Sequence, residues 1–143
     1  MKESTMPLGR RGNKDVVELH EADRRLAAGY AERLAAATEA ERALRDAQGD
    51  AVAPEELREL TIAFDVALTG ALAAAEAAER AEMGPKAYAT DAQDAKAQRA
   101  AEIEVRKAKA TVSVRPWTDE VDRLRTAREA HRLSFRTAPT AAV

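Results

Sequence analysis

Sixteen residues, Leu60 to Ala75 (LTIAFDVALTGALAAA), hold Asp65 as their only charge, in a chain that is 34% charged. Two ridges at helical spacing run through them: Leu60, Phe64, Leu68 and Leu72, and Ala63, Ala67, Ala71 and Ala75. Residues four apart are neighbours on a helix surface. The large ridge fills space against another helix, and the alanine ridge admits a second backbone near the lower end of the usual separation of about 8–10 Å. Ile62 and Val66 occupy a further side, so this helix is apolar nearly all round, as a helix buried among several neighbours or in an oligomer is. A membrane span needs about 20 predominantly apolar residues. This run is shorter, is interrupted by Asp65 and Gly70, and is flanked by Glu55, Glu56, Glu59, Glu76 and Glu79, so no membrane insertion is expected.

Three more helices are expected around it. From Asn13 or Asp15, either of which suits an N-cap, to about Gln48 no proline intervenes. Val16, Leu19, Leu26, Tyr30, Leu34, Ala37 and Leu44 fall on one side at about 100° per residue. This predicts one long amphipathic helix, with Asp23 and Glu41 interrupting its stripe and Gly29 as a weak point. Gly49 suits the end of that helix, Pro54 the first turn of the next, and Glu55 and Glu56 the positive end of its dipole. So short a connection makes the two helices antiparallel neighbours, and Gly84-Pro85 ends the second near Met83. Residues 86–90 read as a turn, and Thr90 with Gln93 as a capping box. The third helix, Asp91 to about Ala110, has little beyond Ala92, Ala100, Ile103 and Val105 for a stripe and needs a partner to be well formed. Thr111 to Trp117 alternates β-branched residues and reads as an extended linker. Thr118 then caps a fourth helix, with Trp117, Val121, Leu124, His131 and Phe135 on one side.

Composition favours long helices over a thick core. Thirty-five residues are alanine, and thirty are Val, Ile, Leu, Met, Phe, Trp or Tyr. Burying a large side chain contributes roughly 1.5–3 kcal/mol, against an ordering cost of about 1–2 kcal/mol per residue. Stability borrowed from copies of itself or from a partner fits such a chain. Net charge is −2, but Met1 to Lys14 sums to +3, Asp15 to Gly49 to −3, Asp50 to Met83 to −6, Gly84 to Trp117 to +3 and Thr118 to Val143 to +1. An acidic middle between basic ends can draw one subunit onto another or fold the chain back on itself. The organisation read from this is a mobile basic arm (1–14), an acidic helical hairpin (15–83), a basic helix with a linker (84–117), and an arginine-rich helix with a disordered tail (118–143).

Candidate chemistry is sparse. The absence of cysteine excludes disulfides and thiolate metal sites. His20 and His131 each stand alone in their helices, without Glu-x-x-His or His-Glu-x-x-His spacing, a glycine-rich phosphate loop or a nucleophile elbow. An enzyme, a cofactor, a metal centre and a small-molecule substrate are therefore not expected. Arg125, Arg128, Arg132 and Arg136 form a ridge able to grip carboxylates or phosphates in bidentate fashion, with Glu129 close enough to turn part of it into a solvated ion-paired surface. Arg10 and Arg11, between Gly9 and Gly12, offer a second basic element. The partner interface is expected on Leu60, Ala63, Phe64, Ala67, Leu68, Ala71, Leu72 and Trp117, tryptophan being enriched among interface hot spots.

The alanine- and glutamate-rich hairpin with its Gly-Asp-x-x-x-Pro-Glu-Glu-Leu connector, Gly49 to Leu57, resembles small helical proteins encoded among virion-assembly genes of tailed phages of high-GC actinobacteria. The resemblance covers residues 15–83 and implies a structural role in a phage particle, with no catalytic residues to carry over. The resulting expectation is an all-α protein, elongated or bundle-like: a hairpin of two long helices, then two further helices. It is expected to work without catalysis through helix–helix contacts, coiled-coil fashion, in a homo-oligomer or larger assembly. The alternative is a small nucleic-acid-binding or regulatory protein using the basic arm and arginine ridge. The N-terminus lacks the apolar segment of a secretory signal, so the cytoplasm, or an assembled virion, is the expected location.

Overall fold

The computed structural model describes residues 12–88 and 95–137, with side chains through Ser134. Its elements are α1 (Asn13–Ala28), α2 (Tyr30–Gly49), α3 (Pro54–Met83), a 3₁₀ turn (Pro85–Ala87), α4 (Ala95–Lys109) and α5 (Arg115–Thr137). The protein is all-α, with no strand among the described residues. Residues 1–11 of the expected basic arm, the Thr90–Gln93 capping box, the side chains of Phe135 and Arg136, and the C-terminal tail lie outside the described residues, and Asn13 and Lys14, expected in that arm, open α1.

The expected first helix is divided at Gly29, whose N–H bonds the carbonyl of Leu26 instead of a residue four back. Glycine is the costliest ordinary residue in a helix interior, which makes it the natural place for the ladder to break. Both pieces run antiparallel to α3: Asp23 pairs with Arg80, and Arg33 lies beside Gly70. Gly84 closes α3 with φ +87°, a conformation that favours glycine.

The expected extended linker is a tight turn. Thr111 Oγ1 donates to Ala108 O at 2.8 Å, and the N–H of Arg115 bonds Thr111 O at 3.0 Å. Pro116 and Trp117 then fall in the first turn of α5, where a missing N–H costs nothing. The alternation of Val112 and Val114 does not mark a strand: Val114 is buried and Val112 is 90% exposed. Thr118, expected as an N-cap, lies inside α5 and donates its hydroxyl to buried Glu79 at 2.7 Å.

Helix α5 lies antiparallel to α3, as the pairs Thr118–Glu79, Arg125–Glu76 and Arg132–Asp65 show. Thus α3 is central, with α1–α2 and α5 along it. The core contains Ala37 and Leu44 of α2, Phe64, Leu68, Ala71, Leu72 and Ala75 of α3, and Val121 and Leu124 of α5. Ala71, Ala74, Ala75 and Ala77 are completely buried, the mark of helices packed close along a small-residue face.

Gly70, inside α3, has no such packing role. A Cβ there would meet only the Arg33 guanidinium, at 3.1 Å, and that exposed side chain can move aside. Gly70→Ala is therefore expected to raise stability by about 0.5–1 kcal/mol, measured as a higher denaturant midpoint at unchanged slope. A lower midpoint would mean that Arg33 is fixed over the glycine.

Candidate functional site

The arginine helix is turned toward its own chain. Arg132 grips Asp65 with two bonds, Nε–Oδ2 at 2.7 Å and Nη2–Oδ1 at 3.0 Å. The bond from Arg132 leads in holding the Asp65 carboxyl below its ordinary value. Arg125 reaches Glu76 at 2.6 Å, and Arg128 Nη1 donates to Thr69 Oγ1 at 3.3 Å. Arg128 Nε is buried without a hydrogen-bond partner among the described residues. The one charge in the apolar stretch of α3 therefore serves as the anchor for α5.

The expected partner interface is divided by the fold. Phe64, Leu68, Ala71 and Leu72 are buried within the chain, and Leu60, Ala67 and Trp117 pack half-buried against the same core. Trp117 meets Tyr30 edge-on, with ring centroids 5.2 Å apart. The Tyr30 hydroxyl donates to Glu120, and burial together with that carboxylate pushes it up to about 12. Of the set, Ala63 alone is exposed, and beside it stand Ile62 and Val66, 47% and 64% exposed. The exposed apolar surface of α3 is thus the Ile62–Val66 side. Its signal in the sequence is that these two residues lie off both ridges.

Three further features went unread in the sequence. Asp23 is buried with Arg80 Nε at 2.8 Å, Arg80 Nη2 at 3.0 Å and the Tyr88 hydroxyl at 2.6 Å. Burial raises the Asp23 carboxyl, and the bonds from Arg80 and Tyr88 outweigh it and hold the group low. Burial and the neighbouring carboxylate push Tyr88 up. His20 and His131 both face carbonyls through Nε2, Ala81 O at 3.2 Å and Thr61 O at 2.8 Å, so each donates from that nitrogen. A groove of about 680 Å³ opens between α2, α3 and α5, with Leu44, Leu57, Phe64 and His131 among its lining residues.

Among the described residues no three His, Asp or Glu side chains converge as a metal site. By length and composition α3 is apolar enough to cross a membrane; Phe64, Leu68 and Leu72 are buried in the bundle, and Ile62 and Val66 are exposed. Helix α4 differs from the others in having no buried residue. Its Lys109 Nζ lies 3.9 Å from Glu79, and Glu104 lies 3.6 Å from Lys86 Nζ. Lys96, Arg99, Arg106 and Lys107 are exposed and make no ion pair among the described residues. The site and fold define an all-α protein whose distinctive surfaces are an exposed apolar helix face and a loosely held basic helix. Comparisons with protein-family models, curated proteins and solved structures found no match to this chain.

Proposed function

We propose that this chain is a noncatalytic assembly protein that acts through helix–helix contacts with other protein chains, its own copies first. The observation that carries this reading is α4: fifteen residues of helix with no buried side chain. Isolated helices of that length are marginal in water, at roughly 12–15 residues even for alanine-rich sequences. Packing against a second chain supplies the stabilisation that the chain's own core does not. The exposed Ile62 and Val66 on α3 support the same reading, since apolar surface gains most from being covered. A place within a virion or another large particle belongs to this proposal, through the resemblance of the hairpin and its connector.

The nucleic-acid alternative draws on the α4 cations, because Arg125 and Arg132 are paired with carboxylates of α3. Light scattering on a sizing column, run as a concentration series with the ultraviolet absorbance ratio recorded, tests both. The expected result is a mass above that of one 15.5 kDa chain, free of nucleic acid. A monomer at every concentration would remove the self-assembly reading. Bound nucleic acid released by salt would transfer the proposal to phosphate binding.

A further inference from the structure

The two surfaces left over by the fold match one another. On α4, the face opposite half-buried Ala97, Ala101, Val105 and Ala108 carries Lys96, Arg99, Ala100, Ile103, Arg106 and Lys107, all exposed, with Ile103 near its centre and exposed Glu102 at its edge. On α3, the exposed strip carries Glu55 and Glu59, then Ile62, Ala63 and Val66. Neither glutamate makes an ion pair among the described residues. Both strips span eleven steps, about 16 Å at 1.5 Å per residue. Each alone would be an ordinary solvated helix face; together they have opposite charge and similar length.

We propose that α4 of one copy docks antiparallel on the outer face of α3 in a second copy. Laid antiparallel, the spacing puts Glu59 opposite Arg106, Ile62 opposite Ile103, and Val66 opposite Ala100 and the methylene stem of Arg99. Glu55 then faces the cationic C-terminal end of α4, beside exposed Lys107. The helix dipoles add to this: the C-terminal end of α4 meets the N-terminal end of α3. Ala63 and Ala100 let the two helices approach closely. Made reciprocally, the contact closes a twofold dimer in which each copy gives one α4 and receives one. This inference rests on the self-assembly reading above and adds the surfaces that carry it.

The test is a paired charge reversal on exposed positions. One variant carries Glu55→Lys and Glu59→Lys; the other carries Arg106→Glu and Lys107→Glu. Each alone places like charges opposite one another and is expected to weaken self-association about a hundredfold. An equimolar mixture restores one native contact and one inverted but complementary contact, so the dimer mass returns. Recovery on mixing also shows that both variants are folded. The wild-type dimer should weaken with added salt, as the Debye length falls from about 10 Å at 0.1 M to about 3 Å at 1 M. If both variants associate like wild type, the docking surface is refuted while self-assembly stands. If wild type is a monomer throughout, both fail. If the variants lose association and the mixture does not regain it, the direct pairing of these faces is refuted.

Discussion

Replacing Leu124 by alanine is expected to lower stability by about 3 kcal/mol, within the range for fully buried Leu→Ala changes. Leu124 is 1% exposed and is one of the two largest fully buried side chains of the described chain. The core cluster that holds it also contains Ala37, Ala71 and Ala75, which have no side-chain length with which to fill a void. A core this rich in alanine relaxes poorly around a lost isobutyl group, so the cavity remains and adds to the lost transfer energy. At about 2–4 °C per kcal/mol for a chain of this size, the melting temperature should fall by roughly 6–12 °C. Val112→Ala, at a 90% exposed position in the α4–α5 turn, provides the comparison and should move little. Thermal melts followed by circular dichroism measure both. An unchanged melt for Leu124→Ala would mean that α5 is not packed on α3 in solution, and the core assignment would fall with it.

The second large effect is expected at Asp23. Its carboxylate accepts two bonds from Arg80 and one from Tyr88, joining α1, α3 and the segment after the 3₁₀ turn. Asp23→Asn keeps the shape but removes the charge and sets an amide N–H₂ against a guanidinium donor. Charge-assisted bonds contribute about 1.5–3 kcal/mol each, and Arg80 is half-exposed, so water takes over part of what it loses. A net loss of about 2 kcal/mol at neutral pH follows. The effect depends on pH. A carboxyl held below its unfolded value of about 3.9 contributes stability that is fully present above that pH and is lost as pH falls through the native value. Wild type should therefore weaken steadily below about pH 4, and the gap between it and Asp23→Asn should narrow there. Asp65, paired with Arg132, and Glu120, held low first by Arg123 and then by Tyr30, keep some acid sensitivity in the variant. Denaturant midpoints measured across acid pH decide the matter: parallel curves would show that Asp23 is not ion-paired.

These two sites differ in how far they can be read from the sequence. Leu124 lies on an apolar stripe with Val121, and helical periodicity alone assigns it to a core. Asp23 looks like a flaw in the stripe of the first helix, because its partners lie 57 and 65 residues away. No local pattern announces a pair at such a distance. The same holds for Asp65: its place within an apolar run marks it as special, but only the packing of α5 on α3 identifies Arg132 as its partner.

By itself the sequence determined the all-α class, the short connection at Gly49–Pro54, the end of α3 at Gly84, and the thinness of the large-residue core. All of these follow from propensity, periodicity and turn chemistry, which act over a few residues. Tertiary structure decided where the first helix breaks, that residues 110–114 form a turn, and which side of α3 remains exposed. An apolar helix offers several faces of similar hydrophobicity, and the choice among them depends on which neighbours arrive and at what angle. Here α2 and α5 cover the Phe64–Leu68–Leu72 ridge and leave Ile62 and Val66 outside. The arginine ridge was legible as a ridge; that it closes onto Asp65 and Glu76 of its own chain is a property of the fold, since opposite charges pair according to distance in space and not in sequence.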